Sequence, residues 1–266
     1  MLDAAVLDPP TPKIAPLAVA LSIRKLTKDF GSKRVLDGVN LDLAQGGALS
    51  LIGSNGSGKS TLLRCAIRLV EPTGGSVSLY GEDVGALSGS ALTRLRARVG
   101  FVFQRHNLVP RLSALTNVLH GVQARARGPR AWYQSLAHED ARDEAYSCLA
   151  SVGLAPQALQ RVDSLSGGQS QRVAIARMLM QRPQIVLADE PDASLDPRTG
   201  REVMELLHQL TRSRNIPIMI VSHRMEHARL YSDRIVGLAD GRITLDVPSA
   251  DSDLTTLAAF FEERSN

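Results

Sequence analysis

Gly53-Ser54-Asn55-Gly56-Ser57-Gly58-Lys59-Ser60 has the residue types and spacing of a loop that holds phosphate. Its glycines let the backbone N–H groups of Ser54, Asn55 and Ser57 wrap phosphate oxygens, and the helix expected to follow adds a favourable dipole. Lys59 then reaches the terminal phosphates, Ser60 offers a hydroxyl to Mg2+, and Thr61 continues the same turn. A second candidate is Asp189-Glu190, at the end of the apolar run Ile185-Val186-Leu187-Ala188. Adjacent side chains at a strand end point in different directions. Asp189 is therefore expected in a magnesium shell and Glu190 beside an attacking water. The third is Ser166-Gly167-Gly168-Gln169: Ser166 suits an N-cap, and the glycines bare the amides of a helix start, making a second anion cradle.

These groups need elements to hold them. Ala48 to Ile52 is a short apolar strand running into the glycine loop, and Lys59 to Val70 has helical spacing, which is the strand, loop and helix context that a phosphate loop requires. Ile185 to Ala188 and Ile216 to Val221 are short apolar strands of the kind buried on both faces, each followed by a helical stretch. Ala18 to Leu26, Val35 to Leu43 and Ser76 to Tyr80 alternate at strand period and predict an antiparallel sheet. From Gln104 to Arg182 the strand signal gives way to helical sequence with breaks near Gly128-Pro129, Gly153 and Pro156. The fold class is α/β, a largely parallel sheet with an N-terminal antiparallel subdomain and a helical insertion. The chain divides into a leader over 1–17, extended by Pro9, Pro10, Pro12 and Pro16, a nucleotide-binding domain over 18–248 with its helical part at about 105–181, and a tail over 249–266 in which Asp251 to Glu263 reads as an amphipathic helix.

The chain has 266 residues, 44% of them hydrophobic and 22% charged, which excludes wholesale disorder and long coiled coil. Only 4% are aromatic, so the core must be built from Leu, Val, Ile and Ala. The net charge of +4 is modest evidence for an anionic partner, and without block-like basic runs a solvated surface is the favoured reading. Cys65 and Cys148, the only cysteines, form neither a disulfide framework nor a zinc pattern. No run approaches the roughly 18–20 apolar residues needed to cross a bilayer, and the opening lacks the cationic start of a signal peptide.

Leu165-Ser166-Gly167-Gly168-Gln169 resembles the signature motif of ATP-binding cassette (ABC) proteins, in which each subunit of a head-to-tail dimer offers this cradle to the ATP on its partner. The rest of that family's pattern follows in order from about Ala18 to Asp246. Gln104 resembles the glutamine that links the magnesium site to the helical lobe, Ser194-Leu195-Asp196 the loop that crosses the dimer interface, and His223 the histidine that contacts the γ-phosphate. Phe30 stands where an aromatic ring stacks on adenine. The resemblance implies a P-loop NTPase cassette with a RecA-like core. In it Lys59, Gln104 and His223 of one chain and Ser166 and Gly168 of the other would meet the γ-phosphate of ATP, while Glu190 orients or deprotonates water.

The stretch between Ser60 and Leu165 leaves room for a small helical lobe but not for the coiled coils of chromosome-structuring relatives. With one cassette and no fused membrane segment, the resemblance implies a separate ATPase subunit of an importer on the cytoplasmic face of the inner membrane. Its partners would be a second copy, integral-membrane permease subunits and, indirectly, a periplasmic or extracellular solute-binding protein, with no nucleic acid. Phe101-Val102-Phe103-Gln104, Asn107 to Ser113, Thr116 to Leu119 and Leu187 to Pro197 are similar to the ATPase of phosphonate importers, including Ala193-Ser194-Leu195-Asp196 where other branches carry Ser-Ala-Leu-Asp. Departures are Ser222 before His223 where Leu is frequent, Ser170 where Gln is usual, and Asp192 where a small or apolar residue is common. Import of phosphate, phosphite or amino acids, lipoprotein release, and a regulatory or nucleic-acid-linked role remain the alternatives. Trp132-Tyr133 would dock a permease if exposed and serve the lobe's own core if packed, and Arg94, Arg96 and Arg98 would face a permease, lipid headgroups or solvent.

Overall fold

The alternation that starts at Ala18 becomes two twelve-residue strands, β1 (Val19–Phe30) and β2 (Lys33–Ala44), turned at Gly31 with φ 60°. This computed structural model describes residues 18–104, 106–125, 138–253, 257 and 260. After β3 (Ala48–Ile52) and α1 (Lys59–Ala66), β4 (Gly74–Leu79) pairs antiparallel with β1 and is followed by the short β5 (Glu82–Asp83), giving a sheet of order β2-β1-β4-β5. The register sets Leu21 opposite Leu43 and Leu79, and Ile23 opposite Leu41 and Val77, so one face of this sheet is apolar and buried.

The second sheet uses β3 with β6 (Val99–Val102), β7 (Ile185–Asp189), β8 (Ile218–Val221), β9 (Arg234–Ala239) and β10 (Arg242–Pro248), in the order β10-β9-β3-β8-β7-β6. Its pairs are parallel except for the β10 edge. Alternation along the strands splits the core in two. Leu49, Leu51, Leu187, Met219 and Val221 pack toward the antiparallel sheet and α1, whereas Val186, Ala188, Ile218 and Ile220 pack toward the helices on the other face. That two-sided burial is why β3, β7 and β8 read as unbroken apolar runs. Among the described hydrophobic core residues, only Tyr231 and Phe260 contribute rings.

The remaining helices are α2 (Gly89–Ala97), α3 (Ala114–Leu119), α4 (Glu139–Ser151), α5 (Gly167–Met180), α6 (Pro197–Ser213) and α7 (Met225–Tyr231). Between β6 and β7 the described residues hold no strand; α3, α4 and α5 pack there around Val118, Leu149 and Ile175. Several sequence-based boundaries move: β8 begins at Ile218 rather than Ile216, and β1 runs on to Phe30 rather than ending at Leu26. Helix α1 stops at Ala66 rather than Val70, because Arg68 turns left-handed (φ 52°) and commits its guanidinium to the carbonyls of Val84, Gly85 and Leu87. After β10 comes a 3-10 turn at Ser249–Asp251, and then Leu257 and Phe260 are helical and buried against Ile52, Ala228, Ile235 and Ala239; the rest of the expected terminal helix lies outside the described residues.

The leader over 1–17, Gly128-Pro129 and the Trp132-Tyr133 pair lie outside them as well. The arginines of α2 have partners within the chain: Arg96 donates to the Ile67 carbonyl (2.9 Å), Arg98 pairs with Glu82 (2.8 Å) and Arg94 reaches Ser90 (3.2 Å). Both cysteines are free, and burial pushes their thiols up to about 11, so neither is a ready nucleophile at neutral pH. No helix of the described residues is long and apolar enough to cross a membrane.

Candidate functional site

The loop from Gly53 to Gly58 is shaped by what its glycines touch. A β-carbon on Gly53 (φ 153°) would sit 2.2 Å from the Leu238 carbonyl of β9, and one on Gly58 (φ 107°) 2.8 Å from the Val35 carbonyl of β2. Only glycine fits either place, and the loop is thereby wedged between the two sheets. Lys59, 4% exposed, folds its Nζ back to donate to the carbonyls of Gly53 (2.9 Å) and Ser54 (2.8 Å). Burial pulls its ammonium below the ordinary lysine value, and the charges of Glu190 and Asp189 oppose that pull. The Ser57 hydroxyl is buried with no hydrogen-bond partner. A desolvated cation resting on backbone carbonyls beside an orphaned hydroxyl fits an anionic ligand, whose oxygens supply the missing acceptors.

Asp189 ends β7 almost fully buried. Ser60 Oγ donates to its Oδ1 at 2.7 Å, and Arg64 Nη2 lies 3.6 Å from its Oδ2. Two residues one turn apart on α1 thus hold one carboxylate. Arg64 carried no role in the sequence reading; its spacing of four from Ser60 was the signal available. Glu190 adopts φ 51°, a left-handed conformation that costs a residue with a β-carbon about 1–2 kcal/mol. Its N–H still donates to the Val221 carbonyl (3.2 Å), while its side chain reaches His223, Nε2 to Oε1 2.5 Å. The two acids therefore diverge as strand geometry predicts. His223 is aimed by the turn that follows β8, where buried Ser222 donates its N–H to the Leu51 carbonyl (3.2 Å) and accepts the Arg224 N–H on its hydroxyl (3.1 Å).

A cleft of about 290 Å3 gathers Asn55, Gly56, Gly58, Lys59, Ser60, Thr61, Gln104 and Glu190, all singled out in the sequence, together with Val35, which was not. Val35 reads as one more apolar strand residue, and its place here follows only from its backbone contact with Gly58. Gln104 arrives on the bend after β6, just beyond Phe101 and Phe103, whose rings meet at a tilt with centroids 4.2 Å apart. The hydroxyl of Ser60, the carboxylate of Asp189 and the amide oxygen of Gln104 form a hard-oxygen set that suits Mg2+.

Other predicted residues stand elsewhere. Phe30, 50% exposed at the end of β1 with Lys28 Nζ 4.6 Å above its ring, does not line this cleft. Ser166 caps α5 by accepting the Gln169 N–H (3.2 Å), and Gln169 Oε1 accepts the Ser166 N–H (2.9 Å), a reciprocal capping box. Gly167 is exposed, whereas Gly168 is buried with its β-carbon position 2.2 Å from Thr199 Cγ2, so helix packing favours glycine there. Asp196 caps α6 through the N–H groups of Arg198 and Thr199, and its bonding to Thr199 holds the carboxyl below the usual carboxylate range. Within one chain the loop, Ser60–Asp189, Gln104 and Glu190–His223 come together, and the cradle at the start of α5 does not join that cleft.

Comparison with known proteins fits this geometry. A family model described as ABC transporter matches residues 36–193. A protein of Nitratidesulfovibrio vulgaris named "Phosphonates import ATP-binding protein PhnC" is 46% identical over 236 residues, covering 88% of this chain and 89% of that protein. One of the same name from Bordetella parapertussis is 44% identical over 250 residues, covering 92% and 97%. Among solved structures, a dimeric post-hydrolysis state of an ATP-binding cassette bound to ADP and phosphate superposes with a TM-score of 0.76 at 36% identity, over 86% of this chain and 98% of that one. A cassette of a Clostridium perfringens ABC transporter complex gives 0.78 at 26% identity, over 93% and 94%. On the family match and on relatives of this identity and coverage, the chain belongs to the ABC transporter family.

Proposed function

We propose that the chain is the ATP-hydrolysing subunit of a membrane importer for phosphonates, acting as a head-to-tail dimer docked on permease subunits at the cytoplasmic face of the inner membrane. The observation that carries the catalytic part is the 2.5 Å contact of Glu190 with His223 at a cleft that also holds Lys59. In this reading Lys59 and the amides of Gly53 to Ser60 receive the phosphates of ATP. Ser60, Asp189 and Gln104 would hold Mg2+, which would supply positive charge against that developing on the phosphates. Glu190 accepts a proton from the water that attacks in line, and His223 orients Glu190 and faces the γ-phosphate. Ser166, Gly167, Gly168 and Gln169 serve the ATP of the partner copy, with Asp196 at the interface between them, and Phe30 stacks on adenine. In the same proposal the chain divides into a leader over 1–17, an ATP-binding domain over 18–248 whose helical part at about 105–181 turns to the permease, and a C-terminal helix over 249–266.

Phosphonate as cargo rests on the curated relatives of that name, which match this chain over nearly its whole length. A solute-binding protein would deliver it, because no residue of this chain meets the cargo. In the host, removal of the chain is expected to abolish uptake of labelled 2-aminoethylphosphonate, which the wild-type chain restores and Glu190→Gln does not. Unchanged phosphonate uptake with loss of phosphate, phosphite or amino-acid uptake would replace the cargo assignment with one of those alternatives.

A further inference from the structure

Asp192 lies in the loop between Glu190 and the α6 cap Asp196, and is 4% exposed. Its Oδ2 lies 2.9 Å from Nδ1 of His227, itself 2% exposed, and 3.5 Å from Nε of Arg224. A carboxylate only accepts, so Nδ1 carries the proton. Gly200 of α6 closes over the pair, with its β-carbon position 3.3 Å from Asp192 Cβ and 3.5 Å from Arg224 Nη1. The His227 ring also meets Tyr231 edge-on at 5.7 Å. A buried charge with such partners is costly to strip of them.

The position of these contacts gives them a role. His223 sits in the turn between β8 and α7, held upstream by Ser222 on Leu51. Downstream, α7 has only seven residues, and its N-cap Arg224 makes no side-chain capping bond. What ties the start of α7 to the β7–α6 loop is Asp192, bonded to residues on either side of the first turn. Two links therefore join the same pair of segments: Glu190 to His223 at the cleft, and Asp192 to His227 and Arg224 behind it.

We propose that buried Asp192 and His227, with the partly exposed Arg224, form a clamp of positioning residues that holds His223 against Glu190. The proposal rests on the assignment of Glu190 and His223 to ATP hydrolysis. In the purified full-length chain, His227→Phe keeps a ring against Tyr231 but cannot donate to Asp192. It is expected to lose about tenfold or more in kcat. KM for ATP should stay within about twofold, because Lys59 and its loop are untouched. His227→Asn places an amide donor near the Nδ1 position and should recover most of the rate. Asp192→Ala should fall like His227→Phe, and the double variant no further, since the residues act as one unit. Binding of a fluorescent ATP analogue checks that each variant is folded.

Asp192→Asn keeps the side-chain volume but loses the charge that holds Arg224, and is expected to lose at least about threefold in kcat, which keeps the test open should His227→Phe not fold. Wild-type turnover in folded His227→Phe or Asp192→Asn, or losses that multiply in the double variant, would overturn the clamp. The two readings fail separately. If Glu190→Gln abolishes turnover while His227→Phe and Asp192→Asn leave it unchanged, the clamp alone fails; if Glu190→Gln hydrolyses ATP like the wild type, the catalytic assignment fails first.

Discussion

Glu190→Gln is expected to bind ATP and to hydrolyse it about 10²–10⁴-fold more slowly than the wild type, the loss typical when a positioned proton acceptor is removed. Gln has the same length and carries the same β-carbon, so the left-handed backbone at this position and the bond from its N–H to Val221 persist. Its amide oxygen can still accept from His223, but the amide cannot take a proton from water. Substrate contacts made by Lys59 and Ser60 are unaffected, so ATP stays in place uncleaved. With the γ-phosphate retained, the contacts that join two copies in the proposed dimer are retained as well. Single-turnover hydrolysis and light scattering in the presence of ATP measure both effects. Near-normal turnover, or a chain that remains monomeric with ATP bound, would count against the role given to Glu190.

Lys59→Ala acts at the other end of the reaction. The ammonium it removes is the buried cation of the loop, and hydrogen bonds from a charged group are worth about 1.5–3 kcal/mol each, so ATP affinity or turnover should fall about 10–100-fold or more. The effect on stability runs differently. Burial sets the folded ammonium below its unfolded pKa, so folding disfavours the charged form, and this opposes the loss of its two carbonyl bonds when Lys59 is removed. The melting temperature without nucleotide is therefore expected to change little, while the increase that ATP produces in the wild type is lost. Calorimetry with and without ATP separates the two quantities. A variant that melts early but still responds to ATP would show that Lys59 supports the fold rather than the ligand.

The parts of the site that lie within one stretch of chain were legible from residue types. Gly53 to Ser60 and Ile185 to Glu190 declare themselves because loop, helix start and strand end are contiguous, and β3 spans Ala48–Ile52 as read. The divergence of Asp189 and Glu190 followed from strand alternation, but the positive φ that completes it left no trace, since a left-handed Glu looks like any other. The Ser166–Gln169 box follows from spacing, whereas the fit of Gly168 against Thr199 depends on how α5 meets α6. Arg64 beside Asp189 and Val35 at the cleft are likewise products of tertiary register. Asp192 was visible only as a departure from a pattern. Its partner His227 is 35 residues away, and the two meet because β7 and β8 are neighbours in the sheet.

In the proposed dimer one chain supplies only half of each working ATP site, because its cleft at Lys59 and Glu190 is separate from its second cradle at Ser166 to Gln169. The most direct test is the rate of ATP hydrolysis per chain, measured on the purified protein as its own concentration is varied at saturating ATP and Mg2+. The rate per chain is expected to climb with concentration and level off as pairs form. A rate per chain that stays constant down to dilutions at which the protein is monomeric during turnover would contradict it.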